Sequence, residues 1–175
     1  SGPDEYPAIV RSRSNEHEMF YINLDNAVPG SQYFDGILAH EFQHMVHWAM
    51  DRNEDTWVNE GLSELAADVS GYDVGGSDQL FSSSPDTQLT AWPELEDSGP
   101  HYGASYLFLA YFFGRYGTDA VTQLVAEQAN GVAGFEAVLA DVDPDQTFDG
   151  LFADWLVANY LDNKAVACLL YTSDA

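Results

Sequence analysis

Apolar residues recur at helical spacing along most of the chain. Between residues 56 and 70, Leu62, Leu65 and Val69 fall on one stripe, which predicts a helix with one buried face. The segment 104–116 is apolar on nearly every side, so we expect its helix at the centre of the core. Similar patterns predict four more helices, at residues 33–51, 118–128, 135–139 and 147–161. The chain is therefore predicted to be mostly α-helical.

The residues before the first helix follow a different pattern. In residues 18–25, Phe20, Ile22 and Leu24 alternate with residues that face the other way, which predicts a half-buried strand. Residues 8–10 are a second, shorter strand candidate. We therefore predict the α+β class, with a small N-terminal sheet edge beside the helices.

The segment 72–99 is rich in Gly, Ser, Pro and Asp and has no helical period over most of its length. A long irregular segment in a compact domain is usually functional, so we expect it to form one wall of a cleft. Its aspartates leave calcium as an open alternative, but no D-x-[DN]-x-[DN]-G loop supports a calcium site.

Chain length bounds the domain organisation. The 175 residues suffice for one domain with a substantial core, and we expect that domain to span residues 1–167. The only cysteine, Cys168, excludes an internal disulfide framework. Residues 168–175 resemble the translation of a transposase sequencing adapter, so we expect a non-native tail. No initiating methionine or signal peptide is present, so we expect a processed piece of a longer protein.

The charge of the chain is strongly negative. Five basic residues face 29 acidic ones, which gives a net charge of −24. A field of this sign repels nucleic acid and anionic membranes, so we expect neither as a partner. The acidic residues are scattered along the chain, which favours a salt-adapted, halophilic protein whose stability rises with salt.

One motif indicates metal chemistry. Residues 40–44 read His-Glu-Phe-Gln-His. On a helix, His40 and His44 lie one turn apart on the same face, so both imidazoles can reach one metal ion. Glu41 is rotated about 100° from His40, which places its carboxylate beside the metal, where a general base is needed.

Two histidines do not complete a catalytic metal site, which typically has three protein ligands. Glu60 is the best third candidate, since a turn at residues 51–55 allows the helix that carries it to return. Glu64 lies four residues further on and can accept the second ring N–H of a ligand histidine. His47 competes as a third ligand, but it lies one further turn along the helix, so we interpret it as a packed histidine.

The residues His-Glu-Phe-Gln-His followed by Trp-Val-Asn-Glu-Gly-Leu-Ser-Glu resemble the gluzincin metallopeptidases, and most closely the hyicolysin-type bacterial and archaeal enzymes. The resemblance implies a zincin-like catalytic domain with one catalytic zinc ion. It implies His40, His44 and Glu60 as zinc ligands and Glu41 as general base. It also implies that Asn59 and Glu64 surround the ligands. The gap between His44 and Glu60 is somewhat shorter than in thermolysin or the zinc aminopeptidases, which argues against close kinship with those two groups.

A peptidase also needs a group that stabilises the oxyanion. Related peptidases place a tyrosine or histidine near the start of a later helix, and His101 and Tyr102 are both candidates here. We expect a secreted or cell-surface zinc endopeptidase that acts on peptides or proteins as a monomer. An aminopeptidase and a zinc-bearing domain without catalysis, part of a larger exported protein, are the alternatives.

Overall fold

Six helices provide the regular structure of the computed structural model, which describes residues 19–25, 27–72, 75–93 and 97–161. They are α1 (Gln32–Met50), α2 (Thr56–Val69), α3 (Ser77–Ser82), α4 (Gly99–Ala126), α5 (Val132–Val142) and α6 (Phe148–Leu161). Within these described ranges, none of the helices has the length and apolarity needed to cross a bilayer.

The predicted N-terminal sheet edge is wrong for the described residues. Residues 19–23 have no regular structure, and residues 24–25 form a turn. Leu24 is 60% exposed, although the alternating pattern places it on a buried face. Alternation describes only how side chains face; a strand also needs a hydrogen-bonded neighbour, and the described part of the chain contains no strand. The described residues are therefore helical in class, without the β component. Residues 8–10, residue 18 and the tail at 168–175 lie outside the described residues.

Helices α1 and α2 carry the motif residues and are joined by a short loop. Ser31 caps α1, because its Oγ accepts a hydrogen bond of 3.2 Å from the backbone N–H of Phe34. The helix ends at Met50, and the backbone N–H of the C-cap residue, Asp51, donates to the carbonyl of His47 at 2.7 Å. Helix α2 follows its N-cap residue, Asp55. The two helices therefore begin and end within a residue of the predicted positions.

A glycine allows α2 to lie close against α4. A Cβ atom added at Gly61 would lie 2.9 Å from the carbonyl oxygen of Ser105, a contact that no side chain tolerates. Helix α4 contains one break, at Gly117, whose φ of 77° is outside the helical region. The two predicted helices 104–116 and 118–128 are thus the two arms of α4. Gly61 adjoins Glu60, so this close approach also fixes the position of a candidate metal ligand.

The core is a cluster of aromatic rings around the first turn of α2. Trp57 is fully buried, and its ring stacks on that of Phe135 with centroids 5.5 Å apart. Phe108, at the centre of α4, meets both of these rings at 6.1 Å and 5.3 Å. Burial of aromatic rings of this size contributes about 1.5–3 kcal/mol per side chain. The helix that carries Glu60 is therefore anchored at its start.

The segment 72–99 is less irregular than predicted, since it contains the short helix α3. This helix packs against α4 so closely that a Cβ at Gly103 would clash with the backbone carbonyl of Ser77. Its six residues are too few to show a helical period in the sequence. Helix α3 brings Ser77 beside Glu64 of α2.

Candidate metal centre

Helices α1 and α2 bring His40, His44 and Glu60 together. The Nε2 atoms of the two histidines are 3.1 Å apart. Glu60 Oε2 lies 3.2 Å from His40 Nε2 and 3.4 Å from His44 Nε2. Three ligand atoms thus form a nearly equilateral triangle, which we call the open site. Two imidazole nitrogens and one carboxylate oxygen are a donor set suited to divalent transition metals.

Hydrogen bonds to the other ring nitrogens decide which imidazole nitrogens carry hydrogen. His40 Nδ1 lies 3.1 Å from Glu64 Oε1, and His44 Nδ1 lies 3.2 Å from Asn59 Oδ1. Both partners are acceptors, so each Nδ1 donates its hydrogen. In a neutral imidazole the Nε2 atom then carries a lone pair and no hydrogen. With both imidazoles neutral, the open site therefore directs three lone-pair atoms at one another, which is unfavourable unless a proton or a metal ion lies between them.

Two serines complete this hydrogen-bond network. Ser63 Oγ donates to the carbonyl of Asn59 at 3.0 Å and lies 3.1 Å from His44 Nδ1. Because its hydrogen is already used, Ser63 accepts from His44. Ser77 Oγ donates to Glu64 Oε2 at 3.2 Å, which holds that carboxylate against His40. Neither serine was singled out as a site residue from the sequence. Ser63 shares the site face of α2 with Glu60, whereas Ser77 had no local signal at all.

Electrostatics around the open site favour a positive charge between its side chains. Burial alone would lower the pKa of His40, but the hydrogen bonds and charges of Glu60 and Glu64 outweigh it and raise the pKa to about 9. The pKa of His44 is raised in the same way. Burial would lower it, but the hydrogen bond and charge of Glu60 outweigh burial. Burial would raise the pKa of Glu60, but the two histidines lower it to about 2. A metal ion would take the place of the protons that this charge pattern attracts.

A cleft of about 240 Å³ lies beside the open site. His40, Glu41, Glu64 and Tyr102 are among its lining residues. Burial, followed by the charge of Glu60, raises the pKa of Tyr102 well above its ordinary value, so its hydroxyl stays protonated. The cleft thus places a carboxyl group and a phenol donor next to the metal-ligand atoms. A larger cavity of about 330 Å³ elsewhere is lined by apolar and uncharged side chains and offers no catalytic group.

The two oxyanion candidates occupy different places, although they adjoin in sequence at the start of α4. The ring centroid of Tyr102 lies 6.4 Å from that of His40. His101 does not line the cleft, and its ring lies 6.0 Å from the ring of Trp92. Trp92 also packs edge-on against Tyr102 at 4.9 Å, which supports the tyrosine. Of the two candidates, the structure brings only Tyr102 to the cleft.

His47 lies on α1 but outside the open site. It is 1% exposed, and its Nδ1 lies 3.0 Å from Asn59 Oδ1. With Asp51 and Glu54 it forms a second group of potential metal ligands, which we call the junction site because it lies where α1 leads into α2. Sequence reasoning missed this group, since residues 51–55 read as a polar turn.

Comparisons with known proteins leave the geometry as the basis for a functional argument. No protein-family model matches the chain, and a comparison with curated proteins found no match.

Proposed function

We propose that the protein is a zinc-dependent peptidase, and that His40, His44 and Glu60 hold the zinc ion. The observation that carries the proposal is the triangle of three ligand atoms, two imidazole nitrogens and one carboxylate oxygen. Tetrahedral zinc binds nitrogen and oxygen ligands at about 2.0–2.2 Å, so its ligand atoms lie about 3.3–3.6 Å apart. The three separations in the open site, 3.1, 3.2 and 3.4 Å, are close to that spacing.

Glu41 is the proposed general base. When bound, zinc supplies Lewis-acid chemistry, which makes water a better nucleophile and polarises a carbonyl group. Glu41 follows His40 on α1 and lines the same cleft, so its carboxylate can take the proton from the attacking water. The same group can then deliver the proton to the leaving amine as the peptide bond breaks.

Tyr102 is the proposed oxyanion donor. Attack on a peptide carbonyl places negative charge on its oxygen, and a protonated hydroxyl aimed at that oxygen lowers the barrier. The raised pKa of Tyr102 keeps the proton on its hydroxyl, and the residue lines the cleft with Glu41. An internal peptide bond is the proposed target, because the sequence has no glycine-rich motif of the kind that aminopeptidases use to recognise a free amine.

Glu41→Gln tests the proposal. We expect the zinc-loaded parent protein to hydrolyse unfolded casein in molar NaCl, and the variant to be slower by about 10²–10⁴-fold. Zinc content should be equal in the two proteins, since Glu41 is not a ligand. Asp68→Asn is the matched control, because it removes one acidic charge from an exposed position of α2. Its activity should equal that of the parent.

The remaining outcomes separate the alternatives. Activity in the parent with none in Glu41→Gln supports both the peptidase and its base. Zinc in both proteins without any hydrolysis would favour the non-catalytic domain instead. Equal rates in parent and variant would contradict the assignment of Glu41.

A further inference from the structure

The junction site contains three side chains that are each held by a hydrogen bond but also carry a buried polar atom without a hydrogen-bond partner. His47, Asp51 and Glu54 each bring a ligand atom within 4.8 Å of the other two. His47 and Asp51 are 1% and 4% exposed, so neither is solvated by bulk water. Glu54 is half-buried, and its Oε2 atom is buried.

Each of the three residues has one polar atom anchored by a hydrogen bond. His47 Nδ1 lies 3.0 Å from Asn59 Oδ1. Asp51 Oδ1 accepts from the backbone N–H of Asn53 at 3.2 Å. Glu54 Oε1 accepts from the backbone N–H of Gly131 at 2.7 Å and of Asp55 at 2.5 Å.

The second polar side-chain atom of each residue has no hydrogen-bond partner among the described residues. His47 Nε2, Asp51 Oδ2 and Glu54 Oε2 are buried and have no hydrogen-bond partner among the described residues. Since His47 donates through Nδ1, its Nε2 carries a lone pair, and carboxylate oxygens only accept. A buried acceptor without a donor costs about 1–3 kcal/mol, and more if it is charged. Burial raises the pKa of Glu54, so a proton on its carboxyl group relieves part of this cost in the metal-free protein, whereas a divalent cation would satisfy all three acceptors.

We propose that His47, Asp51 and Glu54 bind a second divalent transition-metal ion, which holds the junction between α1 and α2. The mixed donor set favours an ion such as Zn²⁺ or Mn²⁺ over Ca²⁺, which takes oxygen ligands. The two carboxylates balance the charge of the ion, as a buried position requires. Ligand spacing in a formed site is about 3.3–3.6 Å, so small movements of the carboxylates complete the site.

The loop that carries the junction site is fixed to the rest of the fold. Asn53 Nδ2 donates to Asn130 Oδ1 at 3.3 Å, and Asn130 Nδ2 donates to the carbonyl of Asn53. Gln128 Nε2 donates to the carbonyl of Met50 at 2.9 Å. The loop is thus tied to Gln128 and Asn130, and the bound ion ties its acidic side chains to His47 on α1.

Asn59 links the two metal sites. Its Oδ1 accepts from His44 Nδ1 of the open site and from His47 Nδ1 of the junction site. A cation on His47 Nε2 makes the Nδ1–H a stronger donor, which fixes the position of Asn59 and therefore of His44. The role of the second ion is structural: it sets the geometry of the junction and, through Asn59, of a ligand of the open site.

Zinc stoichiometry tests this proposal without reference to catalysis. The full chain, stripped of metal and dialysed against Zn²⁺, should bind two ions per chain by elemental analysis. The double variant His40→Ala/His44→Ala should bind one. The double variant Asp51→Asn/Glu54→Gln, which keeps the shape and the anchoring acceptors, should also bind one.

Thermal unfolding of His40→Ala/His44→Ala provides a second readout. With zinc at 100 times its Kd, we expect the Tm to rise by about 5–10 °C, because only the folded junction site binds the ion. One zinc ion per chain in the parent protein, with none in this variant and no shift in Tm, would overturn the proposal. Unchanged stoichiometry in Asp51→Asn/Glu54→Gln would overturn it too.

Discussion

The open site and the junction site are neighbours on the same pair of helices, but they differ in charge and in access. The open site has one carboxylate and borders a cleft that contains Glu41 and Tyr102. The junction site has two carboxylates, and two of its three residues are almost fully buried. A divalent ion retains a net positive charge in the open site but is neutralised in the junction site. Residual charge and access to a cleft suit catalysis, whereas neutrality and burial suit a structural role.

The largest expected effect comes from exchanging one ligand at each site. Glu60→Gln should abolish zinc binding at the open site and lower casein hydrolysis by at least about 10³-fold, because the Lewis acid contributes several kcal/mol. Glu54→Gln is the matched control, since it makes the same chemical change at the junction site. It should weaken binding of the second ion and leave the open site loaded. If both variants lost hydrolysis to a comparable extent while the open site of Glu54→Gln was still loaded with zinc, the assignment of catalysis to the open site and of a structural role to the junction site would be wrong.

A smaller effect is expected at the cleft itself. Tyr102→Phe removes the proposed oxyanion donor and should lower kcat by about 10²-fold, with zinc content and KM nearly unchanged. The neighbouring variant His101→Gln is the control, because His101 packs beside Trp92 and does not line the cleft. A larger loss of kcat in His101→Gln than in Tyr102→Phe would assign the oxyanion to the histidine instead.

The smallest expected effect, about tenfold per pH unit, is on the pH dependence of zinc affinity. Zinc binds neutral imidazole, and His40 in the metal-free open site has a pKa of about 9. Below that pKa a proton must be displaced, so the affinity of the open site should rise about tenfold per pH unit from about pH 6.5 to 8.5. Burial lowers the pKa of His47, so the junction site should respond less steeply.

Titration against a competing chelator can measure each site alone. Asp51→Asn/Glu54→Gln leaves the open site, and His40→Ala/His44→Ala leaves the junction site. A steeper pH dependence in the second variant than in the first would contradict the assigned protonation states.

The sequence predicts the open site better than the sheet because the site rests on local spacing. His40 and His44 share a helix face because they lie four positions apart in the sequence. The strand predicted at residues 18–25 needed a partner, which no local pattern can supply. Helix α3 was missed because six residues contain too little periodicity.

The junction site was not predictable from local sequence, since its character comes from burial. Asp51 and Glu54 belong to a polar loop, and residues of this kind usually face solvent. Here the loop is covered by a distant segment: Gly131 donates to Glu54, and Asn130 pairs with Asn53. Tertiary packing thus buries the carboxylate acceptors of Asp51 and Glu54, which local sequence places in an exposed turn.

Anomalous diffraction at the zinc absorption edge, from crystals of the zinc-loaded protein, tests the central claim most directly. The account predicts a peak within coordination distance of His40 Nε2, His44 Nε2 and Glu60 Oε2. It predicts a second peak among His47, Asp51 and Glu54. Absence of density between the two histidines and Glu60 in zinc-loaded crystals would contradict the claim that these atoms form a metal centre.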